Sequence, residues 1–310
     1  MIALGRNSRE APVRSSLAIA LAAWFFTLAH AEADETLRWK LAPGQRLHYS
    51  RTHQRVNEMV EGTVRTKETL VRVTDMALTV ARLDSDGTAA LVLTIDRIRY
   101  QRNSPAGAMS YDSADAAATK DDGKLAPTLR ELLDSAFSFK MNGLGEITDI
   151  HVSGRSAKVD PAVDAQAPAG HVLPASNALA VRHLMPSVLL PRDPVALGTR
   201  WRQRVEFTEP LLGLRRCDVT YKYAGQEVRD ATRLEKIRCD SELHFLTAKQ
   251  EKLKPDIRDS DNRGTIYFDN VAGRLVEKQE TERLKIVIRS GERTIEQDIR
   301  SDVSVRFSGN

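Results

Sequence analysis

Apolar and polar residues alternate with a period of two along most of this 310-residue chain. That pattern is typical of antiparallel strands with one buried and one solvated face. It is clearest near the end of the chain, where one face of a predicted strand carries Ile295, Ile299, Val303, Val305 and Phe307. Ten further strands are predicted at Arg46 to Val56, Thr63 to Leu83, Thr88 to Arg99, Phe137 to Met141, Glu146 to Val152, Arg200 to Phe207, Leu214 to Tyr223, Ala231 to Leu243, Thr265 to Phe268 and Arg274 to Arg289.

Several of these strands exceed the usual length of about five to six residues. We therefore predict a mainly β fold, in which long antiparallel strands form large curved sheets or open half-barrels. Helical spacing predicts two short helices, around Ala126 to Ser135 and around Ser176 to Leu189. Asn103 to Lys124 is predicted to be a polar loop, and Ser153 to Ser176, rich in Ala and Pro, to be a flexible linker.

The linker (153–176) divides the chain into an N-terminal β-rich half (32–152) and a C-terminal half (177–310) that begins with the second helix. Each half contains a similar hairpin sequence, "FKMNGLGEITD" from Phe139 and "YFDNVAGRLVE" from Tyr267. Their shared Asn and Gly tolerate the positive φ of tight turns. The two halves are therefore interpreted as pseudo-repeats produced by internal duplication, and the hairpin as a structural element.

The first 31 residues have the order of a secretory signal peptide. Arg6, Arg9 and Arg14 precede an apolar run from Leu17 to Leu28, which ends in a small-x-small motif at Ala31. The run is shorter than the ~20 residues of a membrane-spanning helix. We expect export, cleavage near Ala31, a periplasmic or extracellular location, and no transmembrane segment in the mature chain.

Charged residues are spread along the whole chain, with Lys and Arg alternating with Asp and Glu. A nucleic-acid footprint would instead cluster the basic residues on one face. The pattern predicts solvated strand faces and no nucleic-acid partner.

The chain has two cysteines, Cys217 and Cys239, on strands predicted to be neighbours. Opposing the two would also place Val219 opposite Ile237. In an oxidising compartment such a pair favours a cross-strand disulfide, which we predict here.

Sequence patterns for metal and catalytic sites are incomplete. The loop from Asp259 to Asn270 resembles a calcium loop, but Arg263 stands where an oxygen ligand is needed, so a plain acidic turn is predicted. His48 and His53 fall on opposite faces of one strand. Trp39 and Trp201, near the openings of the two halves, are interpreted as strand anchors, with a ligand cleft as the alternative. No metal, cofactor or catalytic residue is predicted.

Three motifs support a family resemblance: "LRWKLAPGQRLHYS" from Leu37, "LPRDPVALGTRWRQ" from Leu190 and "GTIYFDNVAGRLVE" from Gly264. On them the chain resembles the DUF6263 family of uncharacterised exported proteins from planctomycete-type bacteria. The resemblance implies export and a β-rich fold, and it brings no functional residues with it.

Long half-buried strands with few helices leave a sheet face that something must cover. We expect a non-catalytic exported protein that binds a lipid, another hydrophobic ligand or a protein partner on a concave apolar sheet surface. The alternative is a structural or interaction scaffold of the cell envelope whose sheets cover each other. An enzyme of unrecognised type is the third hypothesis.

Overall fold

The computed structural model describes residues 34–115, 119, 125–153, 185, 188–209, 213–247 and 253–309. This part of the chain forms a large antiparallel sheet that is open rather than closed into a barrel, which confirms the predicted fold class. Its elements in chain order are β1 (Arg46–Glu61), β2 (Val64–Leu83), β3 (Ala89–Ser104), β4 (Gly107–Asp112), α1 (Leu125–Leu133), β5 (Ala136–Met141), β6 (Ile147–Ser153), β7 (Arg200–Glu209), β8 (Gly213–Arg229), β9 (Thr232–Thr247), β10 (Leu253–Asp269), β11 (Arg274–Ser290) and β12 (Arg293–Gly309).

Two meanders make up the sheet and meet at its centre. The strand order is β6-β5-β3-β2-β1-β12-β11-β10-β9-β8-β7, and the short β4 pairs with β3 beside this path. The first and last strands of the fold, β1 and β12, pair from Tyr49 opposite Phe307 to Glu61 opposite Ile295. The chain therefore runs outward from β1 to β6 and back inward from β7 to β12.

The period-two pattern decides which side chains are buried. On β12, Ile299 and Val305 are buried, while Arg300 and Arg306, the residues that follow each of them, are exposed. One large apolar cluster occupies the inner face and includes Leu37, Leu47, Leu78, Phe139, Ile237 and Phe268. A smaller cluster of Leu243, Leu284, Ile286 and Ile299 lies further along the strands. The inner face of the sheet is thus packed with apolar side chains at two positions along the strands, and a stretch of more polar residues separates them.

The N-terminal segment (Thr36–Lys40) ties the two predicted hairpins together. Both hairpins form, between β5 and β6 and between β10 and β11. The backbone N–H of Trp39 donates to Gly143 O at 2.9 Å, and that of Lys40 donates to Gly273 O at 3.0 Å. The turns that sequence comparison singled out are therefore docking points for one segment, although the duplication itself stays a prediction.

The indole groups of Trp39 and Trp201 hold a second segment, residues 188–192, against the sheet. Trp39 Nε1 donates to Val188 O at 3.1 Å, and Trp201 Nε1 donates to Leu189 O at 2.9 Å. Trp39 also meets Phe268 edge to face, with ring centroids 5.4 Å apart. The two tryptophans are anchors, as the sequence analysis favoured.

Two predictions about loops are wrong. The predicted polar loop from Asn103 contains β4, whose Tyr111 is buried opposite Tyr100 of β3. The predicted acidic turn from Asp259 is the middle of β10, which pairs with β11 from Leu253 onward. In both segments polar residues or Gly and Ala weaken the alternation, so pairing with a neighbouring strand decides the structure instead.

Several predictions fall on residues outside the described ranges. These are the signal peptide, most of the linker from Ser153 to Ser176, and most of the helix around Ser176 to Leu189. They stay predictions, as does the division into two halves. Within the described ranges no helix is long and apolar enough to cross a membrane.

Gly273→Ala tests the contact between the β10–β11 turn and the N-terminal segment. Gly273 has φ +64°, and a Cβ there would lie 2.3 Å from Lys40 N. Backbone strain of about 1 kcal/mol and a clash of about 2 kcal/mol predict a loss near ~3 kcal/mol of unfolding free energy in urea titrations.

The matched control is Gly291→Ala in the β11–β12 turn. Gly291 has φ +59°, and a Cβ added there would meet no atom within 4 Å. This variant should lose only the backbone-strain contribution, about 1 kcal/mol of unfolding free energy. Equal losses in the two variants would show that the contact with Lys40 contributes nothing to stability.

Candidate functional site

A cavity of about 750 Å³ lies on the inner face of the sheet, between the two apolar clusters. Residues of β1 and of β7 to β12 line it, together with Gly145 to Ile147 from the β5–β6 turn and the start of β6. The strands β6 and β7 stand at opposite ends of the strand order, so a flat sheet would keep them far apart. Because both border one cavity, the sheet must curve around it.

The cavity wall changes character from one strand to the next. On β8 and β12 the lining is mainly apolar, and it includes Val219, Tyr221, Val303 and Val305, whereas on β7 only Val205 is apolar beside Arg202, Gln203 and Arg204. On β1 and β11 it is mainly charged or polar, and it includes Arg51, His53, Lys278, Glu280 and Glu282. The surface that the sequence analysis expected to be apolar is therefore amphipathic.

Arg51 is the most deeply buried of these charged groups, with 7% of the residue exposed. It lies on β1 opposite Val305 of β12 and Thr74 of β2. Its Nη1 atom has no hydrogen-bond partner within the described part of the chain. Burial, and then the nearby positive charge of Arg72, lower the pKa of Arg51 to about 9, and Glu280 opposes that change.

The neighbours of Arg51 leave an excess of positive charge. Lys278 Nζ forms a 2.9 Å salt bridge with Glu280 Oε1. Burial lowers the pKa of Lys278, but the charge and hydrogen bond of Glu280 outweigh it, so the pKa is raised overall. Arg72 of β2 is half-buried, its buried Nε has no hydrogen-bond partner among the described residues, and burial lowers its pKa. Glu280 thus acts on two cations, Arg51 and Lys278, and already forms a salt bridge with Lys278.

The two histidines of β1 lie on opposite faces, as their spacing predicts. His53 faces the cavity, and its Nε2 lies 2.8 Å from Ser301 Oγ. His48 lies on the outer face, where its Nδ1 is 3.5 Å from Asp96 Oδ2. The described residues contain no group of three or more His, Cys, Asp or Glu side chains placed to hold a metal ion.

The two cysteines both line the cavity, but the register assumed for them is wrong. Cys217 lies opposite Leu243, and Cys239 lies opposite Tyr221. Val219 accordingly faces Ser241, and Ile237 faces Tyr223.

This offset of four residues separates the thiols by about 14 Å along the strands, at ~3.4 Å per residue. A disulfide needs Cα atoms within about 7 Å. Neither cysteine forms a disulfide in the structure, and the predicted bond is not confirmed. The apolar match used to set the register was local, whereas the β8–β9 turn and the bulge near Tyr223 fix the actual pairing.

Cys239 packs against a strand position that has no side chain. It lies opposite Gly264 of β10, where an added Cβ would be 2.5 Å from its sulfur and 3.0 Å from Glu280 Cγ. Burial, and then the charge of Glu280, raise the pKa of the Cys239 thiol to about 12. The thiol is therefore a neutral packing group and not a nucleophile.

The residues of the calcium-like sequence do not converge on a site. On β10, Asp261 forms a 2.7 Å salt bridge with Arg263 Nε of its own strand. Asn270 lies in the following turn, where its side-chain amide donates to Thr36 O at 3.1 Å. These groups stabilise the strand and the N-terminal segment.

No protein-family model and no curated protein matches the chain. Among solved structures, lipovitellin, from a study titled for its lipid–protein interactions, matches with a TM-score of 0.49 and 13% identity. The match covers 87% of this chain but only 26% of the lipovitellin chain.

A DUF1329 family protein from Desulfovibrio piger matches with a TM-score of 0.15 and 12% identity, over 84% of this chain and 85% of that one. At these levels of similarity neither structure bears on what the chain binds.

Alkylation of the native protein with iodoacetamide tests the state of the cysteines. Cys239 is 5% exposed and its pKa is raised to about 12, so at pH 8 it holds almost no thiolate. Cys217 is more exposed. Intact mass spectrometry should therefore show one fast addition in the native protein and a second only after unfolding.

Cys217→Ser is the matched control and should abolish the fast addition. A disulfide would give a mass lower by two hydrogen atoms and no addition without a reductant. That result would contradict both the reduced thiols and the register that separates them.

Proposed function

We propose that this chain is a non-catalytic binding protein that holds a lipid or another amphipathic hydrophobic molecule on the inner face of its curved sheet. The cavity of about 750 Å³ carries the proposal. Ligand cavities of about 300 to 1,000 Å³ are typical of small-molecule sites, with mostly apolar walls and a few placed polar groups. The cavity volume lies in that range; its apolar lining is on β8 and β12, and its polar groups on β1 and β11 are more numerous than in a typical site.

The position of the cavity also supports a binding role. Apolar clusters fill the inner face on both sides of it, so the residues around the cavity could have been covered in the same way. Instead, Val219, Val303 and Val305 border space. Burying such apolar surface is worth about 25 cal/mol per Å², so an apolar ligand has a reason to enter.

Export belongs to the same proposal. The features of residues 1–31 suggest a secretory signal peptide, and the three turn and strand motifs suggest DUF6263 membership. A protein that carries a hydrophobic molecule between membranes or across an aqueous compartment would have a use for both a cavity and export.

The first experiment uses the protein purified gently from its cell envelope and analysed by native mass spectrometry. A discrete adduct in the mass range of a lipid, extractable into organic solvent, is expected. The delipidated protein should then bind the neutral dye N-phenyl-1-naphthylamine without unfolding.

Val219→Trp places a large side chain in the cavity and should weaken dye binding by about tenfold or more, equivalent to ~1.4 kcal/mol. Thr220→Trp, the matched control, changes the next residue of the same strand, which does not line the cavity. It should bind dye as the native protein does.

Two results would contradict the proposal. One is an apoprotein mass together with a delipidated protein that binds no dye, which would favour an envelope scaffold instead. The other is equal dye binding by Val219→Trp and Thr220→Trp, because the dye would then bind outside the cavity.

A further inference from the structure

Arg51 brings to the cavity a buried charge for which the described residues show no salt bridge or hydrogen bond at Nη1. Arg51 is 7% exposed, and its Nη1 finds no acceptor in the part of the chain that the structure describes. A buried charge without a partner costs several kcal/mol. A bound anion would remove this cost by accepting hydrogen bonds from the Arg51 guanidinium group.

Two other charged groups of the same sheet, Glu277 and Arg102, are paired, which shows that the fold can satisfy such groups. On β11, the buried carboxylate of Glu277 accepts hydrogen bonds from Arg306 Nε at 2.8 Å and Gln279 Nε2 at 2.9 Å, and a further one from Arg229. On the inner face, Arg102 Nε lies 3.1 Å from Glu68 Oε2, with both side chains mostly buried. Arg51 has no comparable partner among the described residues.

The nearby acids do not fill this gap. Glu280 is the carboxylate whose charge acts most directly on Arg51, and it is already bonded to Lys278 at 2.9 Å. Glu282 lies two residues further along β11 and also borders the cavity. Arg72, on the other side of Arg51, adds positive charge. The cavity therefore has an unsatisfied donor in a positive environment at its β1 side.

We propose that Arg51 binds the anionic head group of the ligand, a phosphate or a carboxylate, while the apolar part of the ligand packs against the apolar lining of β12 and β8. This assignment rests on the proposed function, because it names the chemical class of the molecule in the same cavity. The guanidinium group suits either anion, since its planar N–H groups pair with two oxygens at once.

The register places apolar side chains directly beside the charged groups of β1. Arg51 lies opposite Val305, and His53 lies opposite Val303, so the valines of β12 begin the apolar path next to the charged groups. Five strand steps separate β1 from β8, about 24 Å around the sheet at ~4.8 Å per step. The charged positions of β11 lie between β12 and β8, so the valines of β12 are the apolar lining nearest to Arg51.

The test compares three ligands that share a ten-carbon chain, namely 1-decanol, decanoate and decyl phosphate, together with inorganic phosphate alone. Each displaces N-phenyl-1-naphthylamine from the delipidated protein below its micelle concentration. We expect decanoate or decyl phosphate to bind about tenfold more tightly than decanol, as a charge-assisted hydrogen bond in a buried site allows.

Two variants of similar shape separate a ligand-binding role from a structural one. Arg51→Met should abolish the preference for the anion, leave decanol binding nearly unchanged, and raise the melting temperature, because it removes a buried unpaired cation. Arg102→Met, the matched control on the same face, should keep the preference and lower the melting temperature, because it breaks the salt bridge to Glu68.

The outcomes distinguish the two proposals. If decanol binds as tightly as the anions, or if Arg51→Met keeps the preference, the head-group assignment is overturned and the cavity remains a hydrophobic site. If inorganic phosphate binds as tightly as decyl phosphate and decanol does not bind, Arg51 is an anion site and the proposed function is overturned. If nothing binds, both proposals are overturned.

Discussion

The pairing of β1 with β12 holds the two meanders together in one sheet. Without it, each meander would end in an unpaired edge at the place where the sheet now has its centre. The pairing joins residues nearly a whole chain apart, from Tyr49 with Phe307 to Glu61 with Ile295. It also sets Arg51 and His53 beside the valines of β12, so the polar and apolar walls of the cavity meet at this seam.

The cavity on the inner face lowers the stability that full apolar packing would give. Full apolar packing, as in the clusters that contain Phe268 and Leu284, would give the most stable sheet. Between those clusters the described part of the chain has open space and the buried cation Arg51. A ligand that satisfies the cation and fills the space would return part of the lost stability on binding.

The fold class was predictable because strand periodicity is a local property. On β12 each apolar residue was assigned to the correct face, and the long strands implied a large curved sheet. β4 and the first part of β10 were missed because their residues alternate weakly, and only the neighbouring strands stabilise them. The register of β8 with β9 was wrong for a similar reason, since the bulge near Tyr223 shifts the pairing and leaves no trace in the spacing of Cys217 and Cys239.

The candidate site was less predictable than the fold. Along β1 the inner positions read Leu47, Tyr49, Arg51 and His53, so Arg51 occupies a place that the pattern reserves for apolar residues. That irregularity was the available signal, and the even mixture of charges along the chain concealed it. The electrostatic environment of Arg51 is set by Arg72 and Glu280. Strand pairing brings these residues near Arg51, but they are distant from it in the sequence, so the sequence does not reveal the contact.

Gly264 makes the size of the cavity depend on a single codon. Cys239 and Glu280 can both sit at the cavity because the strand between them has no side chain at this point. Every glycine codon becomes an alanine codon by one base change, and that change would force a cavity-lining side chain to move. The space can therefore be reduced in a single evolutionary step, and descendants of this sequence that keep Gly264 are those in which selection has kept the space open.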